Sequence, residues 1–264
     1  MPGWARFKRP TRDNPYIDEA EIEAARLDMP YNVFAQEYEA DFGASQFLVF
    51  PDFDREIHKW KRDIPRFDRF YGGLDFGDAS LTAHKSSGVL AGLTPQDELI
   101  FLAEFEQSGP GVGERQLLWM AETEQKIRRV AASNGSKARE VFWRADATQM
   151  WGIQLVRGMG FNITGSKRGR DVRDTRVELV ARRIKVRADG HPKLYYLPSL
   201  THIPEAFERY RNPDPVPEDK EQKRGPLKIQ DDTMDALLYC VEGVDLGIIG
   251  DPMQIYAGVL GRIA

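Results

Sequence analysis

Two apolar, strand-like segments of this chain end on aspartate, and an apolar, helix-like segment begins on three more. Asp75 closes Tyr71-Gly72-Gly73-Leu74 and runs into the turn Phe76-Gly77. Asp146 closes Val141-Phe142-Trp143-Arg144-Ala145. Asp231, Asp232 and Asp235 open the run Ala236-Leu237-Leu238-Tyr239. A carboxylate at the end of a buried strand is disfavoured unless its charge is compensated. Asp232 and Asp235 are three apart and Asp231 and Asp235 four apart, so either pair projects from one helix face. Carboxylates converging from three elements repel one another. A divalent cation relieves that repulsion, and hard oxygen ligands suit Mg²⁺ or Mn²⁺. Two such ions about 3.5–4 Å apart can drive water-mediated cleavage of a phosphodiester. Each aspartate also has a plainer reading. Asp75 caps its turn, Asp146 caps the helix that follows, and Asp231 or Asp232 is an ordinary helix N-cap.

The pattern around these residues predicts an arm, a main domain and a tail, over 1–67, 68–246 and 247–264. Pro10, Pro15, Pro30, Pro51 and Pro65 interrupt the arm, leaving a helix over 18–26 and another over 31–42, whose Phe34, Tyr38 and Phe42 form an aromatic stripe. In the main domain, strands are predicted over 71–75, 81–93 and 98–105, with the turn Thr94-Pro95-Gln96-Asp97 before the third. A long helix over 113–132 follows, with Leu117, Met120, Ile127 and Val130 near one face. Then come a strand over 141–146, a helix over 149–157, a strand over 161–163, a helix over 172–184, a strand over 193–197 and a helix over 200–210. Three antiparallel strands followed by alternating helices and strands favour a mixed α/β sheet flanked by helices. The proline-rich segment 212–226 is expected to be a mobile loop able to gate access to Asp231, and the glycine-bearing tail to be poorly ordered.

The 264 residues carry 37 Lys plus Arg against 41 Asp plus Glu, a formal charge of −4. This argues against a uniformly basic nucleic-acid coat but not against a local basic face. Such a face is offered by 166–187, where Lys167, Arg168, Arg170, Arg173, Arg176, Arg182, Arg183, Lys185 and Arg187 stand against three carboxylates. Phosphate contacts would use that surplus; the plainer reading is a solvated helix face laced with ion pairs. Lys167, Arg168 and Arg170 lie in a glycine-bearing loop and are the favoured contacts, with Arg173 beside them. The single cysteine, Cys240, excludes an internal disulfide and suits a reducing compartment. His58, His84, His191 and His202 are scattered and read as surface or satisfied core groups. No apolar run resembles a signal peptide or a membrane span. Gly165-Ser166-Lys167 superficially resembles a phosphate-binding loop, but the lysine and hydroxyl residue are in reverse order, so no ATP site is expected.

Taken together, Gln36-Glu37-Tyr38-Glu39-Ala40-Asp41-Phe42, Val49-Phe50-Pro51-Asp52-Phe53-Asp54, Gly73-Leu74-Asp75-Phe76-Gly77, Asp146 and Asp231-Asp232-Thr233-Met234-Asp235-Ala236-Leu237-Leu238-Tyr239 resemble the nuclease domain of a tailed-bacteriophage terminase large subunit. The resemblance implies a ribonuclease H-like fold and two-metal cleavage of concatemeric double-stranded viral DNA during genome packaging in the host cytoplasm. It implies Asp75 and Asp146 as strand-borne ligands of two Mg²⁺ or Mn²⁺ ions and Asp235 as the helix-borne one. Family members often carry histidine at the position of Asp232, which makes Asp232 an extra candidate ligand. The family's partners would be an ATPase domain, a small terminase subunit and the portal of the procapsid. This chain begins at what resembles the linker, so the motor is expected on a longer parent chain or a separate subunit. A resolvase or transposase nuclease shares the strand-end aspartate and glycine, and a non-catalytic docking module of the packaging complex is the reading from another class.

Overall fold

In an extended chain, neighbouring side chains point to opposite faces, and here that alternation builds two cores. In β1 (Arg69–Asp75), β2 (Ser86–Leu93) and β3 (Leu99–Gln107), Tyr71, Val89, Ala91, Leu99 and Phe101 enter one apolar cluster. Phe70, Leu74, Leu90 and Ile100 enter the other. β4 (Val141–Ala145), β5 (Ile163–Gly165) and β6 (Leu194–Tyr196) complete a six-stranded sheet in the order β5-β4-β1-β2-β3-β6. β1, β2 and β3 pair antiparallel, whereas β4 runs parallel to β1, β5 to β4 and β6 to β3. The computed structural model describes residues 9–28, 38, 40, 48–77, 85–136, 140–167, 172–212 and 231–246.

Helices cover both faces. α1 (Glu19–Asp28) and α2 (Arg55–His58) precede the sheet. α3 (Val112–Asn134) and α4 (Met150–Gly158) bring Met120, Ile127, Ala131, Ile153 and Val156 to one core. α5 (Val172–Ile184), α6 (His202–Arg209) and α7 (Asp232–Asp245) supply the other with Val180, Phe207, Leu237 and Val241 among others. This is the mixed, helix-flanked sheet that the sequence predicts. β5 lies two residues later than the expected 161–163, because Asn162 takes part only through its carbonyl, which accepts from Trp143 N before the ladder begins. Val130, expected on the buried face of α3, is 41% exposed; Met120 and Ile127 carry that face.

The segment 48–67, part of the predicted arm, is built into the main body. Phe50 joins one core, Trp60 and Phe67 the other, and bridges tie Leu48 to Arg211 and Lys59 to Tyr196. His58 is fully buried and satisfied: Nε2 meets the Ile184 carbonyl at 2.8 Å and Nδ1 meets the backbone of Asp54. Of the helix expected over 31–42, Tyr38 is described, in a turn whose carbonyl accepts from Thr11 N. Phe34 and Phe42, His84, Arg168 and Arg170, residues 213–230 and the tail 247–264 lie outside the described residues. Among the described residues, no helix is long and apolar enough to cross a membrane.

Candidate functional site

Strand parity decides where Asp75 points. Tyr71 and Gly73 face the α7 side of the sheet, so Asp75, two further on, faces it too. On β4, Trp143 and Ala145 face the opposite core while Arg144 reaches Glu242 of α7; Asp146 shares the parity of Arg144. The parallel register sets Leu74 beside Ala145, so Asp75 and Asp146 emerge next to each other at the carboxyl ends of adjacent strands. α7 can approach because Gly73 has no side chain: a Cβ there would overlap the Ala236 carbonyl. That contact lays the first turn of α7 over the end of β1. Asp75, Asp146, Asp231, Asp232 and Asp235 consequently line one cavity of about 1080 Å³. All four predicted ligands, Asp75, Asp146, Asp232 and Asp235, are brought together.

The crowding is visible in Asp75. Loss of water around it, then the charges of Asp235, Asp232, Asp146 and Asp231, push its carboxyl up to about 8. Its carboxylate makes no hydrogen bond within the described residues, so the turn-capping reading finds no partner there. Asp146 accepts from Thr148 N at 2.8 Å and from the Tyr239 hydroxyl at 3.3 Å. It therefore caps the short turn before α4, while Gln149 stands at the helix N-cap itself. Asp231 occupies the N-cap position of α7 without the side-chain capping bond. Its Oδ2 accepts instead from Arg173 Nη2 at 2.9 Å, and Asp235 Oδ1 accepts from the same nitrogen at 3.3 Å.

Arg173, expected among the DNA contacts, turns inward to the aspartates of the cavity, with Nε donating to the Tyr210 hydroxyl at 2.9 Å. Burial opposes its charge, but Asp235, Tyr210 and Asp231 outweigh that and raise its pKa further. Two more cations of the basic run turn inward. Arg176 shares the fully buried Glu242 with Arg144, and Arg183 pairs with Asp245 and Asp97. Lys167, Arg182, Lys185 and Arg187 remain exposed or part-exposed. Lys167 N donates to Glu242 Oε1 at 2.8 Å, and its carbonyl accepts from Arg176, which fixes the loop backbone under its side chain.

Several contributors were not legible in the sequence. Gln149 clamps the residue after Asp75, donating to the Phe76 carbonyl at 2.7 Å and accepting from its N–H at 3.3 Å. Gln116, buried on α3, donates to the Ser87 carbonyl at 2.8 Å and to that of Asp75 at 3.3 Å. Glu106 receives Lys85 and, at 2.6 Å, the Thr233 hydroxyl beside Asp232. The wall opposite the carboxylates is apolar. Trp151, Leu155 and Met159, at i, i+4 and i+8 on and just beyond α4, line the same cavity and are exposed, Trp151 at 64%. Hard carboxylate donors from three elements suit a divalent cation. Yet among the described residues no three such groups stand in an arrangement that holds one, with Arg173 drawn onto Asp231 and Asp235.

No protein-family model matches the chain. Over 58 residues it is 40% identical to the large terminase subunit of Escherichia phage T5, a stretch covering 22% of this chain and 13% of that protein. Its fold is similar to that of the large terminase of a thermophilic bacteriophage, with a TM-score of 0.59 at 16% identity over 89% of this chain and 54% of the other. The same protein in complex with ADP gives a TM-score of 0.59 at 19% identity, over 90% and 54% of the two chains. The chain thus spans about half the length of the solved terminases it matches and a smaller share of the phage T5 protein. It has the fold found in a phage large terminase, and over a short stretch it shares sequence with another.

Proposed function

We propose that this chain is the nuclease part of a viral DNA-packaging enzyme, an endonuclease that needs Mg²⁺ or Mn²⁺ and cleaves double-stranded DNA. The observation that carries the reading is the single cavity into which β1, β4 and α7 deliver Asp75, Asp146, Asp232 and Asp235. These four carboxylates are the groups that would hold the ions. Two bound ions would supply Lewis acidity for attack of water at phosphorus and neutralise charge on the departing oxygen.

The rest follows from the chain's own groups. Gln116 and Gln149 hold the backbone at and just after Asp75, and the Tyr239 hydroxyl orients Asp146. Burial and the neighbouring aspartates hold the Asp75 carboxyl up at about 8, and a bound divalent ion would favour its ionised form. Lys167, with Arg168, Arg170 and Arg173, would hold the DNA backbone, and Trp151 offers a flat face to a base beside the cleaved bond. The ATPase domain, small subunit and procapsid portal would be its partners. The test is nicking of supercoiled plasmid with Mn²⁺, Mg²⁺ or EDTA. Cleavage is expected with Mn²⁺, absent with EDTA, and lost in Asp75→Ala, Asp146→Ala and Asp235→Ala. Undiminished cleavage by Asp75→Ala would overturn the assignment.

A further inference from the structure

The acidic cluster already contains a cation of the protein's own. Arg173 enters from the start of α5 and places one nitrogen, Nη2, between Asp231 and Asp235, 2.9 and 3.3 Å from their oxygens. Its Nε donates to the Tyr210 hydroxyl, and the guanidinium lies 5.6 Å from the centre of that ring. The group is therefore anchored on one edge by α6's C-terminal tyrosine and shared on the other by the first turn of α7. It lines the same cavity as Asp75 and Asp146. A guanidinium stays charged at every pH the protein meets, so it leaves Asp235 only by moving.

We propose that Arg173 is an internal counter-ion: it balances the carboxylates in the metal-free protein and competes with an entering divalent cation for Asp235. This rests on the metal-dependent reading above. Nη2 occupies one oxygen each of Asp231 and Asp235, so the guanidinium and an ion would contend for the same atoms. Ion entry frees the Nη edge while Tyr210 retains Nε. That leaves a planar pair of donors at the cavity, matched to a phosphate. Arg173 thus positions Asp235 first and meets the DNA backbone only after the ions are in.

The test is isothermal titration of Mn²⁺ into wild type, Arg173→Gln and Arg173→Lys, with folding checked by circular dichroism. Removing one charge-assisted competitor is expected to tighten Mn²⁺ binding about tenfold in Arg173→Gln, with Arg173→Lys between that and wild type. Binding by Arg173→Gln alone would support the proposal in its strongest form. If wild type binds Mn²⁺ and Arg173→Gln binds no tighter, the competition is refuted while the nuclease reading stands. If neither binds at millimolar Mn²⁺, the metal reading falls and the counter-ion role with it. Should Arg173→Gln fail to fold, Arg173→Lys decides: affinity equal to or below wild type overturns the proposal.

Discussion

Asp75 offers a measurement that needs no DNA. Its carboxyl titrates at about 8 in the folded protein against an ordinary 3.8. A gap of about four pH units corresponds to a ceiling near 6 kcal/mol at about 1.4 kcal/mol per unit. Water reaching a part-exposed carboxyl lowers this to about 2–3 kcal/mol. The sign follows from proton counting. Between the two values the folded protein keeps a proton that the unfolded chain has released, so stability falls as pH rises from about 4 to about 8. Asp75→Asn mimics the protonated carboxyl and removes that dependence. Urea unfolding in EDTA should find Asp75→Asn about 2–3 kcal/mol more stable than wild type at pH 8, and by less than half that at pH 5. Mn²⁺ at pH 8 should stabilise wild type more than the variant, because only wild type gains the charge the ion seeks. Equal pH slopes for the two proteins in EDTA would refute the argument that burial and neighbouring carboxylates strain Asp75.

Three further outcomes follow from contacts elsewhere. Glu242→Ala removes the fully buried carboxylate shared by Arg144 and Arg176, and should lose about 3–5 kcal/mol in urea unfolding; a loss under about 1 kcal/mol would show that this cluster does not hold β4 to α7. Gly73→Ala should prevent folding or push α7 off β1, seen as lost thermal cooperativity, since its Cβ meets backbone rather than a yielding side chain; a wild-type melting temperature would contradict the packing. Trp151→Ala should weaken binding of a single-stranded oligonucleotide in EDTA by about 1–3 kcal/mol, read by fluorescence anisotropy, with Trp151→Phe largely retaining it; unchanged affinity would mean that the α4 wall does not stack on a base.

The aspartates were legible because each is a local anomaly. Asp75 and Asp146 each end an apolar run, and period-two alternation then fixes the sheet face onto which each projects. The two cores follow from the same alternation once the strands are paired: Phe70 and Tyr71, or Leu90 and Ala91, part to opposite faces. Arg173 was not legible. α5 carries Arg173, Arg176, Arg182 and Arg183, and helical spacing does not say which of them meets a carboxylate from a strand or helix far away in sequence. Glu242, 98 residues from Arg144, selects Arg176; Asp231 and Asp235 select Arg173. Gln116 and Gln149 carry no sequence signal at all, since a glutamine on a helix is ordinary until its amide meets a strand-end backbone. The segment 48–67 read as an arm because its prolines break regular structure, but Phe50, Trp60 and Phe67 bury without needing regular structure.

The charge balance gains meaning from this geometry. A net charge of −4 sets the chain against a polyanion, and the cavity proposed to receive that polyanion is lined by five aspartates. Yet Arg173 and Arg176 line the same cavity, each already held by a carboxylate of α7. The cavity is therefore poised, with acids partly balanced by cations that are themselves candidates for phosphate contact. On the proposed metal dependence, divalent ions would change both partners at once: they would relieve the repulsion that holds the Asp75 carboxyl up and free Arg173 toward the entering strand. On that reading DNA affinity would rise with metal loading above a weaker metal-free level, so basic and acidic residues in one cavity would act in sequence instead of cancelling.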